Sequence, residues 1–170
     1  VGANVTLSTL EKFLKNSIPE FSRLLRLFAS PQIKNIATLV GNIANASPIG
    51  DTLPALLILD AKLKLYYQGK VRVVELNKFF KGYKKLDLKS NEIITEVIFN
   101  VPQKSEVLKL YKVSQRKDLD ISTVSAAYLV SLNKNKITSA KIAYGGMAAT
   151  PKRLFKVEES LSNLFITDKK

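Results

Sequence analysis

The sequence predicts an α+β chain, on three observations. Apolar residues recur at helical spacing near the start, at Leu7, Leu10, Phe13 and Leu14, and again at Phe21, Leu24, Leu25 and Phe28. Strict alternation replaces that spacing in "KLKLYY" and "KVRVVEL", on either side of Gln68-Gly69. After Pro102 the runs "VLKLYKVS", "STVSAAYLVSL" and "ITSAKIAYGG" are all strand-like. This change of character places a boundary near residue 103. Mixed helices and strands fill 1–102, and an antiparallel sheet with a C-terminal helix fills 103–170.

Each element has a local reason. Ser8 stands three residues before Glu11, the capping-box spacing, so a first helix is predicted to start there. Pro19 suits the first turn of a second helix over 19–29, and Pro31 marks a break. Asp51 is placed to cap a third helix, with Pro54 in its first turn and "ALLILDA" as its buried body. Gln68-Gly69 joins two alternating runs as a hairpin. "LNKFFKGY" reads as a short helix stopped by Gly82, and "NEIITEVIFNVP" as a strand ending at Pro102. "NKNK" is a polar turn between the last two strands. Thr150-Pro151 reads as the cap and first turn of a final helix through "KRLFKVEESLSNLF".

Composition limits the chemistry. The 170 residues are 46% hydrophobic and 24% charged, enough to build a buried core. With no cysteine, the chain itself offers no disulfide, thiolate metal site or iron–sulfur ligand. With no histidine, it lacks the commonest general base and transition-metal ligand. Redox or group-transfer chemistry here needs a borrowed cofactor or a partner subunit. No apolar run approaches the roughly 20 residues that span a bilayer, and "VGANVTLSTLEKFLKN" lacks the shape of a signal peptide, so a cytoplasmic location is expected. The net charge of +13 suggests a polyanionic partner such as nucleic acid, or a phosphate-bearing ligand, with a solvated lysine-rich surface as the alternative. Lysines beside aromatics in "KFFKGYKK" open a nucleic-acid reading, but no RNA-binding or helix-turn-helix motif supports it.

One irregular stretch invites a ligand. "ATLVGNIANASPIGD", residues 37–51, holds two glycines, two asparagines, a proline and an aspartate between apolar flanks. Gly41 and Gly50 can take positive φ, and consecutive backbone N–H groups in such turns bind anions. Asn42, Asn45 and Ser47 add polar side chains, and Asp51 can accept from a sugar or ribityl hydroxyl. The alternative is a tight connection whose polar residues serve as caps.

With its flanks, "FASPQIKNIATLVGNIANASPIGD" resembles the second FAD-binding loop of the molybdenum hydroxylase flavoproteins, the family of bacterial xanthine dehydrogenase small subunits and carbon monoxide dehydrogenase medium subunits. "SQRKDLDISTVSAA" and "AYGGMAATPKR" resemble two further signatures, and "VGANVTLSTLE" resembles the opening of the second FAD lobe. The likeness runs nearly end to end. It implies the second lobe of a two-lobed FAD-binding domain in 1–102, with the first lobe absent, and the C-terminal flavoprotein domain in 103–170. It also implies that this is a fragment of a longer flavoprotein or a truncated relative. Where the pattern has two glycines, this chain has Val40-Gly41, and a β-branched residue suits positive φ poorly.

The resemblance carries roles onto particular residues. Thr38, Gly41 and Asn42 would contact the FAD pyrophosphate, and Asn45, Ser47 and Asp51 would line the same loop. Phe28 and Ile94 would give apolar contacts to the cofactor, and Lys112 would reach the flavin or its phosphates. Arg116, Asp118 and Asp120 would lie near the flavin, gating the electron acceptor or forming a local salt-bridged turn. "YGGMAATPKR" would be structural. The implied function is electron transfer: from [2Fe–2S] clusters to FAD, then to NAD or another acceptor. The molybdenum cofactor would sit on another subunit or domain. The implied partners are an iron–sulfur domain and a molybdenum-cofactor subunit, and self-association is possible. Two other readings are a cofactor-free scaffold and a basic interaction domain.

Overall fold

The computed structural model describes residues 1–116 and 119–166. Asp118 and the "DKK" end therefore lie outside the described residues. The fold is α+β, with mixed helices and antiparallel sheets as predicted. Helices α1 (Leu7–Ser17) and α2 (Pro19–Leu27) form a pair at the start, followed by single-turn α3 (Pro31–Lys34), α4 (Leu39–Ala44) and α5 (Thr52–Ile58). Strands β1 (Lys62–Tyr67) and β2 (Lys70–Glu75) form the expected hairpin. Gln68 and Gly69 both take positive φ, 44° and 78°, the geometry a two-residue hairpin turn requires. Next come α6 (Leu76–Phe79), β3 (Phe80–Gly82), β4 (Lys85–Leu86) and β5 (Ile93–Ile98). The last part holds β6 (Glu106–Val113), β7 (Val124–Asn133), β8 (Lys136–Gly145), β9 (Lys152–Arg153) and α7 (Phe155–Leu161). The sheets run β2-β1-β5, β3-β4 and β6-β7-β8-β9, all antiparallel.

The structure corrects several local expectations. Thr6, not Ser8, caps α1, its hydroxyl accepting from Thr9 N–H at 3.2 Å. Ser8 and Glu11 instead reach α3: Ser8 donates to Asn35 Oδ1 at 2.7 Å, and Glu11 holds the buried Lys34 ammonium at 2.7 Å. Phe13 is 74% exposed, because it lies about 90° round the helix from the centre of the Leu7, Leu10 and Leu14 stripe. Pro31 does follow the break after α2, as expected, and it also starts the single turn α3, which Ser30 caps. Helix α6 is shorter than expected, since "FKG" pairs as a strand. Thr150-Pro151 starts no helix: Lys152 and Arg153 are taken by the open edge of β8, and α7 begins only at Phe155.

The buried core is continuous across residue 103. Leu110, Ala127, Leu129 and Ala143 pack with residues of α1, α2 and α5. Side chains of α2 also close the free edge of β6. Leu110 N–H donates to Glu20 Oε1 at 3.0 Å, and Arg23, paired with Glu20, donates to the Leu110 carbonyl. The edge strand is thus satisfied at Leu110, its one buried residue, without a further strand.

Candidate functional site

The stretch over 37–51 is helical at its centre. Thr38 is extended, and its hydroxyl accepts from Gly41 N–H at 3.0 Å, capping α4. Leu39 and Ile43 are fully buried and anchor that helix, which places Gly41 on its exposed side. Neither Gly41 nor Gly50 has positive φ, and neither does Val40. The valine therefore sits unstrained in a helical turn. The left-handed positions nearby are Ala29 and Ala46, φ 49° and 50°. Asn42 Oδ1 accepts the Thr52 hydroxyl at 2.6 Å, tying α4 to α5. Asn45 is exposed at the far end of α4, and Ser47 Oγ accepts weakly from Ile49 N–H at 3.4 Å.

Asp51 precedes α5, but its carboxylate makes no capping bond. It turns instead to the large sheet. Lys112 Nζ lies 2.8 Å from Asp51 Oδ2, and the Ser122 hydroxyl donates to Oδ1. Lys112 also donates to Ser122 Oγ at 2.7 Å and to the Asp120 carbonyl at 2.9 Å. All three ammonium hydrogens thus have protein acceptors. The Asp51 and Lys112 side chains are each only 8% exposed, so this is a buried, fully connected polar cluster.

This cluster forms one wall of an open pocket of about 380 Å³. Phe28, Ile33, Ile49, Leu119 and Ile121 supply its apolar lining. Four expected residues from distant parts of the chain, Phe28, Asp51, Lys112 and Asp120, therefore meet at one cavity. Ile94 does not join them. It is 6% exposed, in core contact on β5 opposite Leu65, and it borders a separate shallow depression beside Gly2–Val5. Ser122 carried no role in the sequence reading although it lies inside a quoted motif. Nothing in its local spacing marks it, because its partners are 10 and 71 residues away.

The loop after β6 makes the local salt-bridged turn. Asp120 accepts from Arg116 N–H at 2.9 Å, from the Arg116 guanidinium at 3.2 Å and from Ile121 N–H at 3.0 Å. These bonds, led by the Arg116 backbone N–H, hold the Asp120 carboxyl below its usual range. The glycine pair of "AYGG" is structural. Gly146 N–H donates to the Pro48 carbonyl at 2.8 Å, which ties the 45–51 segment to the sheet. Gly146 has φ +84°, and a Cβ there would lie 2.4 Å from the Thr123 carbonyl oxygen. Among the described residues, no cluster of three carboxylates is placed to hold a metal, and no helix is long and apolar enough to cross a membrane.

Comparison with known proteins gives this geometry a family. Residues 1–103 match the model for the FAD binding domain in molybdopterin dehydrogenase, and residues 109–169 match the CO dehydrogenase flavoprotein C-terminal domain. The chain is 34% identical to a xanthine dehydrogenase of Emericella nidulans over 99% of its length, covering 13% of that relative. It is 35% identical to a xanthine dehydrogenase/oxidase of Gallus gallus over 88% of its length, covering 12% of that relative. It superimposes on a CO dehydrogenase from Oligotropha carboxidovorans with a TM-score of 0.86 at 25% identity, over 92% of this chain and 55% of that one. The fold also matches quinoline 2-oxidoreductase from Pseudomonas putida 86, TM-score 0.88 at 24% identity, over 98% of this chain and 58% of that one. The chain thus spans about an eighth of the curated relatives and somewhat over half of the solved chains. Its match over residues 1–103 makes it a member of the molybdopterin dehydrogenase FAD-binding domain family, followed by a CO dehydrogenase-type flavoprotein C-terminal domain.

Proposed function

We propose that this chain is part of the FAD-holding, electron-transfer module of a molybdenum hydroxylase. In this reading, electrons arrive from iron–sulfur clusters carried elsewhere and leave to NAD or another acceptor. Residues 1–102 serve as the second lobe of the FAD-binding domain and residues 103–170 as the C-terminal flavoprotein domain. An iron–sulfur domain and a molybdenum-cofactor subunit are its partners in the whole enzyme. The observation that carries the reading is the meeting of Phe28, Asp51 and Lys112 at one largely apolar pocket.

The residues present suit such a cofactor. An apolar pocket with a few fixed polar groups fits a planar ring system with a hydroxylated chain. The first-turn N–H of α4 at Val40 has no acceptor within the helix, so it remains for a phosphate oxygen. Gly41 is exposed and lacks a Cβ, which lets an anion approach the backbone closely. Thr38, Gly41 and Asn42 hold the pyrophosphate end in this reading, with Asn45 and Ser47 further along. Asp51 accepts a ribityl or sugar hydroxyl through its remaining lone pairs. Lys112 acts through Asp51, orienting the carboxylate. Phe28 packs on the ring, and Ile94 supports α4 from the core. Bound there, FAD supplies the redox chemistry that the chain's own side chains lack.

The test is flavin retention. The chain, and the longer polypeptide that contains it, are loaded with FAD and passed through gel filtration, and bound flavin is read by absorbance. The reading expects retention at least by the longer polypeptide, and loss of retention in Asp51→Ala. No retention by either would reject it, and retention by the longer form alone would assign this piece the role of one half of the clamp.

A further inference from the structure

The large sheet has a second face that takes no part in the pocket. Strand alternation puts Leu110, Lys112, Ala127 and Ala143 on the inner side, against α2 and α5. The opposite side carries Tyr111, Tyr128 and Tyr144. Ala126 lies directly between Tyr111 and Tyr144 in register. Its small side chain leaves an open hollow of about 620 Å³, walled by the three tyrosines and by Val113, Val124 and Val130. Tyr111 and Val113 are 50% and 53% exposed. An apolar, aromatic hollow of this kind is what the centre of a protein interface looks like.

The charge on this face is one-sided. Lys109 lies on it opposite Tyr128, and Lys152 lies on it opposite Tyr144, both exposed. Alternation puts no carboxylate on this side of β6, β7, β8 or β9. Glu106 is on the other side and binds Gln103 N–H. The Tyr128 phenol stays neutral: burial and the Tyr144 hydroxyl bonded to it push it up to about 12. A second copy would bring lysine against lysine between two chains of net charge +13 each. A stacked nucleobase needs an open ring face. Here Tyr128 meets Tyr111 and Tyr144 edge to face, with centroids 6.0 Å apart in both pairs.

We propose that the Tyr111–Tyr128–Tyr144 face is a docking surface for a protein partner that inserts apolar side chains into the Ala126 hollow and sets Asp or Glu residues against Lys109 and Lys152. It is distinct from the pocket, since Tyr111 and Lys112 point to opposite sides of β6.

The test compares the free chain with the assembly in which it natively occurs. Both are treated with tetranitromethane, and nitration of Tyr111 is followed by mass spectrometry, with Tyr66 on the other sheet as internal reference. The expected result is strong protection of Tyr111 in the assembly alone. A Lys109→Glu/Lys152→Glu variant should retain flavin as the parent does, yet bind the assembly at least about tenfold more weakly, because acidic partner groups would then face acids. Equal nitration of Tyr111 in both states overturns the proposal. So does a free chain that dimerises and is made monomeric by Tyr111→Lys. So does salt-dependent binding of a thymidine oligonucleotide that the double variant abolishes.

Discussion

Lys112 Nζ sits 2.8 Å from Asp51 Oδ2 across 61 residues of sequence, with both side chains 8% exposed. This contact fastens the segment before α5 to the large sheet, and Ser122 completes it. Removing one charge leaves the other buried without its counter-ion, the costly half of a buried pair. Lys112→Met should therefore lower stability by about 3–5 kcal/mol in urea unfolding. Adding Asp51→Asn should recover part of that loss, because the uncompensated charge is then gone. Simple additivity of the two changes would mean that the pair is not coupled.

Gly146 tests the seam between the pocket segment and the sheet. Its φ of +84° is strained for any L side chain, and an added Cβ would meet the Thr123 carbonyl oxygen at 2.4 Å. Gly146→Ala should cost at least about 2 kcal/mol, read as a shifted thermal midpoint. Gly145→Ala should cost less. Its closest clash is at 2.5 Å with Ser125 Oγ, which can rotate away, although the Pro48 carbonyl at 3.1 Å cannot.

Particular residues explain what the sequence made legible. The β1–β2 hairpin was readable because alternation and Gln68-Gly69 agree on one register. Helix α4 was not, because Gly41 and Asn42 are poor helix formers and only tertiary burial of Leu39 and Ile43 holds it. Pro151 misled for a related reason: its local chemistry allows a helix start, but the edge of β8 captures the next two residues. In the candidate site, Phe28 and Lys112 were found by resemblance and Asp51 from its own loop as well, while Ser122 was missed. Ile33, Ile49, Leu119 and Ile121 were missed too, because an apolar lining has no local signature until distant segments converge.

Gly41 separates folding from ligand binding. It lies within α4, is exposed, and a Cβ would make one tight contact, 3.3 Å from Thr38 Oγ1. Alanine suits a helix better than glycine by up to about 1 kcal/mol, so Gly41→Ala should leave stability unchanged or slightly raised. If the pyrophosphate lies against this turn, the same variant should retain less FAD on gel filtration. Equal retention would move the phosphate contact away from Gly41.

Glu92 contributes to the acid sensitivity of the fold. Both its oxygens pair with the Arg72 guanidinium at 2.7 Å, and Lys89 N–H donates to it at 2.9 Å. The Arg72 hydrogen bonds, first, and that backbone bond lower its pKa from 4.5 to about 2. A carboxyl depressed in the folded state binds its proton more readily when unfolded. Its contribution is therefore complete above the ordinary value of 4.5 and is lost as pH falls through about 2. Thermal midpoints measured across that window should fall more steeply for the parent chain than for Glu92→Gln, which has no carboxyl to titrate. Above the window the parent should be the more stable, because only the ionised carboxylate offers both oxygens to Arg72. Parallel curves over the whole range would show that the Arg72–Glu92 fork contributes nothing to stability.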